Sequence, residues 1–200
     1  MIFQYKYELK LSQLLKFINF KKLNILDFGC GIGNWSAKDI KSQIVEKITL
    51  YDKNKKLIKN LKKKYSNKKV NINFNYKNLK KKNNFNLILF SSVIQYFAFA
   101  QLKKIIHDFS KNKKKNLVII ITDIPFVPRL IEFILLPFFN IRRFIFVLPL
   151  IFSREYKKID FFSYKKVHFK NFEDKFNIKY IYNLHDLKFL RYSLVMTLKK

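Results

Sequence analysis

Leu26-Asp27-Phe28-Gly29-Cys30-Gly31-Ile32-Gly33 stands where a short apolar run ends and a helical pattern begins, and its reading decides the fold. The run Leu23-Asn24-Ile25-Leu26-Asp27-Phe28 reads as a buried strand, and Trp35 to Val45 resumes as a helix. Three glycines at alternate positions let the backbone turn sharply and come close to a ligand, while a helix N-terminus beyond them offers free N–H groups. This is a cofactor-binding turn. A dinucleotide fold shares the geography but uses G-x-G-x-x-G. Counted from Gly29, its third glycine would be residue 34, which is Asn34.

Working outward, strand and helix patterns alternate. Lys47-Ile48-Thr49-Leu50-Tyr51-Asp52 is followed by a helical face of Leu57, Ile58, Leu61 and Tyr65, and then by a weaker strand from Val70 to Phe74. Asn86 to Phe90 reads as a strand, Leu102, Ile105, Ile106 and Phe109 as one helical stripe, and Leu117 to Ile121 as the most apolar strand. Such alternation predicts a parallel sheet, because parallel strands need crossovers and both sheet faces must be covered. Upstream, Leu11, Leu14, Leu15 and Ile18 mark an amphipathic helix within 1–22. Downstream, Ser163 can cap a helix running toward Phe176, and Ile178–Tyr182 and Tyr192–Leu198 are two further strands. Between them, residues 125–162 form an insertion rich in Phe, Leu and Ile. The whole of 1–200 reads as one domain.

Composition carries less than its size suggests. Lys and Arg number 42 against 13 acids, a net charge of +29, yet only five of the 42 are Arg. Lys, Asn, Ile and Phe are all abundant while Gly and Ala occur three times each, the set that A/T-rich codons favour. A surface selected to hold phosphates would use more Arg, whose planar fork binds them bidentately. The single Cys30 permits no internal disulfide, and Met1 to Glu8 lacks the pattern of a secretion signal, so the expected location is the cytoplasm.

With Asp27 two residues before the first glycine, the turn resembles motif I of the class I S-adenosylmethionine-dependent methyltransferases, in which D-x-G-C-G-x-G is a frequent form. The resemblance runs from about Leu23 to Leu198, with its specific content in motif I and a few strand ends. It implies an α/β, Rossmann-like, doubly wound sheet of seven mostly parallel strands in the order 3-2-1-4-5-7-6, the last antiparallel. It implies that Gly29, Cys30, Gly31 and Gly33 wrap the methionine part of S-adenosylmethionine, and that Asp27 orients the turn and the ligand's amino group. Asp52, 19 residues after Gly33, is matched to the family's ribose-binding acid. Asn78-Leu79 is matched to the pair near the adenine, with Asn in place of the family's Asp, and Ser91 to the cofactor side of strand four.

Ser91-Ser92-Val93-Ile94-Gln95-Tyr96 is similar to the strand-four end of members acting on small molecules. Enzymes that methylate base amines in nucleic acids carry Asn/Asp-Pro-Pro-aromatic there, and this chain does not. Methyl transfer is an in-line displacement, in which the protein mainly aligns the acceptor and excludes water. A base is needed only for a poor nucleophile such as an alcohol or phenol. Ligands of such sheets bind beyond the carboxyl ends of the strands, so His185, Asp123 and Tyr96 are the catalytic candidates, His185 foremost as base. Three scattered histidines and one Cys lack metal-ligand spacing, and no metal is expected. His107 reads as solvated, and Cys30 as a small residue rather than a nucleophile.

These readings predict methyl transfer to a small-molecule or lipid-linked acceptor, at oxygen rather than nitrogen. An RNA or protein methyltransferase using the basic surface, and a non-catalytic assembly protein on the same fold, are the alternatives. Residues 125–152 read as two short apolar helices or a lid, which pack on the domain or a second copy, lie in a membrane interface at the inner face with Arg129, Arg142 and Arg143 at the headgroups, or span the membrane. The lysine runs 62–64, 80–82 and 113–115 read as solvated turns.

Overall fold

The computed structural model describes residues 20–33, 43–65, 68–82, 84–111, 116–128, 131, 134–135, 145, 161–182 and 191–199. The body of the helix expected within 1–22, the helix expected from Trp35, most of the insertion and His185 lie outside them.

Seven strands form one sheet: β1 Leu23–Phe28, β2 Val45–Tyr51, β3 Val70–Asn73, β4 Leu87–Ser91, β5 Val118–Pro125, β6 Phe176–Tyr182 and β7 Arg191–Leu198. Their order is β3-β2-β1-β4-β5-β7-β6. Neighbours from β3 to β5 are parallel, and β7 runs antiparallel to both β5 and β6. Four helices are described: α1 Lys55–Lys64, α2 Tyr76–Lys82, α3 Phe99–Ser110 and α4 Lys166–Lys170.

The central strands β1, β4 and β5 are mostly apolar because both sheet faces are covered there, and residue parity sorts their side chains into two cores. Leu26, Phe28, Ile88, Phe90, Ile119 and Ile121 point to one side, against Leu102, Ile106 and Phe109 of α3 and against Tyr164 and Phe169. Ile25, Leu87, Leu89, Val118 and Ile120 point to the other, against Ile58 and Leu61 of α1. Asn54 begins α1 by accepting hydrogen bonds from Lys56 N–H and Leu57 N–H, the ordinary N-cap arrangement.

Several boundaries differ from the sequence expectation. Val45 opens β2 rather than closing a helix, and Pro125 belongs to β5, so the insertion starts one residue later. Helix α2 was not expected, because only Tyr76 and Leu79 give its seven residues an apolar anchor. Ser163 is not a helix cap: α4 starts at Lys166 and spans five residues, and His168 Nδ1 accepts from Lys165 N–H at 2.9 Å to close its first turn. His107 is exposed, as expected.

None of the described helices is long and apolar enough to cross a membrane. The described members of the insertion include Phe126, Ile131, Ile134 and Ile145, all exposed. Where the chain returns from it, the Tyr164 hydroxyl donates to the carbonyl of Ile94 at 3.1 Å and also lies against that of Phe97. Burial pushes the pKa of this phenol above its ordinary value.

Candidate active site

The glycine turn follows β1 at the carboxyl edge of the sheet. Gly29 N–H and Cys30 N–H both donate to Tyr51 O, at 2.8 and 2.9 Å, which ties the turn to the end of β2. All three glycines have positive φ: 75° at Gly29, 54° at Gly31 and 71° at Gly33. Their surroundings differ. A Cβ on Gly29 would meet Val93 Cγ2 at 2.3 Å, and one on Gly33 would meet Leu61 Cδ2 at 2.8 Å. A Cβ on Gly31 would meet nothing within 4 Å. Gly29 and Gly33 are therefore packing glycines, and Gly31 presents bare backbone to open space, as a cradle for a cofactor requires.

Asp52, just past β2, faces this cradle. Its Oδ2 accepts from Gly31 N–H at 3.0 Å and its Oδ1 from Asn54 N–H at 2.9 Å. Each carboxylate oxygen can accept a further hydrogen bond, so Asp52 both braces the turn and retains capacity for a ligand's hydroxyl groups. Asp27 lies inside β1 with 1% of its surface exposed. Burial raises the pKa of the Cys30 thiol, with the nearby charges of Asp27 and Asp52 adding to the effect. Such a thiol stays protonated and is a poor nucleophile.

The adenine-side expectation needs correction at Leu79. Leu79 is completely buried, and with Asn24, Lys47, Thr49 and Asn71 it lines a groove of about 220 Å³ at the amino edge of the sheet. That edge is opposite to the cradle. Asn78 is exposed on α2, with its N–H directed to Asn75 Oδ1 at 3.4 Å. The residues that follow β3 at the carboxyl edge are Phe74 and Asn75. Phe74 is 46% exposed, and Lys55 Nζ lies 5.9 Å from its ring centre. The four-residue slip from Phe74-Asn75 to Asn78-Leu79 arose because β3 is short and α2 starts at Tyr76.

On the other side of the turn, Ser91 ends β4, and its Oγ accepts from Thr122 Oγ1 at 3.3 Å. Tyr96 lies in a short 3₁₀ turn over Ile94–Tyr96; its ring is exposed and packs 5.5 Å from that of Phe161. Asp123 sits at a β-bulge: Ile121 pairs with Leu194 and Ile124 with Tyr192, so β5 has one extra residue. Bulges re-aim a side chain and are frequent beside active sites. Asp123 has φ 61° and neighbouring Ser92 has φ 52°, both left-handed. Such a conformation costs about 1–3 kcal/mol for a residue other than glycine and persists only where the surroundings enforce it.

Those surroundings are a closed polar ring. Ser92 Oγ donates to Asp123 Oδ2 at 2.8 Å, and Arg191 Nη1 lies 2.9 Å from the same oxygen. Arg191 Nη1 also reaches Gln95 Oε1 and Asp123 O, each at 3.3 Å, and Gln95 Nε2 donates to Ser92 O at 3.2 Å. Arg191 and Gln95 are both buried. Sequence reasoning placed Asp123 at this edge but missed Arg191 and Gln95, whose partners are up to 96 residues away in the chain. The extra residue of the bulge cannot be read from one strand alone. No group of three or more potential metal ligands is found among the described residues.

Residues 19–136 match a family model described as a methyltransferase domain. No curated protein sequence matches the chain. Among solved structures, it is similar to the magnesium protoporphyrin IX methyltransferase of Synechocystis PCC 6803 with bound SAH, at 12% identity and a TM-score of 0.61, over 95% of this chain and 80% of that one. A SAM-dependent methyltransferase of Methanosarcina mazei gives 13% identity and a TM-score of 0.61, over 96% and 100%. The N-methyltransferase NodS of Bradyrhizobium japonicum with SAH gives 12% and 0.58, over 89% and 79%. These likenesses carry the fold, and the family model covers more than half of the chain. With the sheet order and the open cradle at Gly31, they make this chain a member of the class I S-adenosylmethionine-dependent methyltransferase family.

Proposed function

We propose that the protein methylates a small-molecule or lipid-linked acceptor at oxygen, in the cytoplasm or at the inner membrane face. The cradle residues Gly29, Cys30, Gly31 and Gly33 would hold the methionine part of the cofactor, Asp27 would orient the turn and Asp52 would take the ribose hydroxyls. When bound, S-adenosylmethionine supplies an electrophilic methyl group on a sulfonium, so the chain's own work is to hold, align and dehydrate the acceptor.

The observation that carries this reading is the distribution of side chains between the two edges of the sheet. At the carboxyl edge, Tyr96, Phe126 and Phe162 are exposed and the Tyr96 ring packs at a tilt against that of Phe161. Exposed aromatic rings at that edge favour an acceptor with an apolar body. The described lysine runs that could suit RNA lie elsewhere. Lys62, Lys63 and Lys64 end α1, and Lys80 and Lys81 lie in the last turn of α2. Each crossover helix runs back to the start of the next strand, so both runs sit toward the amino edge, away from the cradle. Lys80 is moreover paired with Asp108 at 2.8 Å.

The test is incubation of the protein with methyl-labelled S-adenosylmethionine and a cell extract separated into lipid, small-molecule, RNA and protein fractions. Label is expected in the lipid or small-molecule fraction, and label confined to RNA or protein would overturn the acceptor class. Flotation with liposomes, beside a deletion of residues 126–150, separates the lipid-linked acceptor from a freely soluble one.

A further inference from the structure

The bulge in β5 puts Ile124 on the same face of the sheet as Ile121, so that both enter one core. Ile121 and Ile124 on either side of it are fully buried and regularly paired with β7. The same bulge also sets the placement of Asp123. Its Oδ2 is engaged by Ser92 and Arg191, whereas Oδ1 has no donor among the described residues, and the side chain is 20% exposed. The carboxylate is thus gripped by one oxygen and presents the other at the rim. The rim adjoins the cradle directly: Val93, which packs on Gly29, follows Ser92 in the chain.

We infer that Asp123 Oδ1 binds the hydroxyl group of the methyl acceptor and takes its proton, and that Arg191, Ser92 and Gln95 are positioning residues for that carboxylate. The inference rests on the methyl-transfer reading and narrows its acceptor to a hydroxyl compound. A fixed carboxylate oxygen accepts an O–H hydrogen bond and repels an acceptor that is itself a carboxylate. In the step, a lone pair of the hydroxyl oxygen forms the new bond to the methyl carbon. The methyl–sulfur bond breaks with its electron pair left on sulfur, and the hydroxyl proton passes to Asp123 and then to water. Charge and atoms balance without another reactant. A base in this position matters because an uncharged hydroxyl is a poor nucleophile.

Labelling of the extract fractions and calorimetric binding of S-adenosylhomocysteine are measured side by side for the wild type, Asp123→Asn, Arg191→Gln, Arg191→Lys and Ser92→Ala. Asp123→Asn keeps an oxygen for Ser92 and Arg191, so the fold and S-adenosylhomocysteine affinity are expected within about threefold of wild type while labelling falls about 100-fold or more. Arg191→Gln is expected to lower labelling by about tenfold or more at unchanged KM for S-adenosylmethionine, with partial rescue in Arg191→Lys; Ser92→Ala is expected to have a smaller effect. Mass spectrometry of the labelled product is expected to show an alkali-stable methyl ether. An alkali-labile ester, a methyl group on nitrogen, or full labelling by Asp123→Asn overturns the inference while leaving methyl transfer in place. A wild-type protein that labels nothing overturns both.

Discussion

The two halves of the carboxyl edge are built in opposite ways. The cofactor half is local: a turn from Gly29 to Gly33 and one carboxylate, Asp52, which bonds directly back to Gly31 N–H at 3.0 Å. The half proposed to take the acceptor is assembled from Ser92 and Gln95 beyond β4, Asp123 of β5 and Arg191 of β7, which reach one another across the sheet edge. A backbone cradle needs glycines at fixed spacing and so leaves a signature in one short stretch. A side-chain ring needs only that strand ends coincide in space, and so leaves almost none.

The sharpest way to break the comparison is at the contact where the two halves touch. Gly29→Ala places a Cβ 2.3 Å from Val93 Cγ2 at a φ of 75°. Overpacking and left-handed strain together should destabilise the fold by about 4 kcal/mol, read as a lower midpoint in denaturant, and should abolish S-adenosylhomocysteine binding. Leu79→Ala should cost about 3 kcal/mol through the cavity it leaves, with binding affinity unchanged by calorimetry. Loss of binding at retained stability would return Leu79 to the cofactor site.

Smaller effects sharpen the cofactor half. Asp52→Ala should weaken S-adenosylhomocysteine binding about 30-fold, roughly 2 kcal/mol, through lost ribose contacts and a looser Gly31. Gly31→Ala meets no atom within 4 Å, so only its left-handed backbone opposes it. The expected cost to stability is about 1 kcal/mol, and any larger loss of cofactor affinity would measure how closely the ligand approaches that backbone. Smallest is Cys30: with its pKa raised by burial, its alkylation by iodoacetamide at pH 8 should be slower by about tenfold or more in the folded than in the unfolded protein. Equal rates would show that the turn opens readily.

The same contrast explains what was legible in the chain. The strand alternation, the glycine turn and Asp52 are visible because period, glycine spacing and the strand-end acid are all short-range properties. Helix α2 escaped because its residues are mostly Lys and Asn around a single fully buried Leu79. Missing it shifted the adenine-side assignment from the strand end at Phe74 and Asn75 into the helix. Asp123 was found by its place after a strand, but its bulge and its partner Arg191 depend on how β7 pairs with β5, which no local pattern encodes. The charge of +29 was an unreliable guide for a related reason, since net charge carries no position, and topology directs the described lysine runs toward the amino edge.

The insertion of β7 between β5 and β6 also sets an order of birth. Arg191 leaves the ribosome 66 residues after Pro125, which at about 5–20 residues per second is roughly 3–13 s of synthesis. Throughout that interval the open side of β5, apolar along most of its length, has no neighbouring strand, the condition that invites pairing with other chains. Gly29 to Gly33 and Asp52 precede that interval in the chain, whereas Asp123 waits for Arg191. On the proposed reading, the cradle for the methyl donor is complete in the chain before the carboxylate meant for the acceptor can be fixed in place.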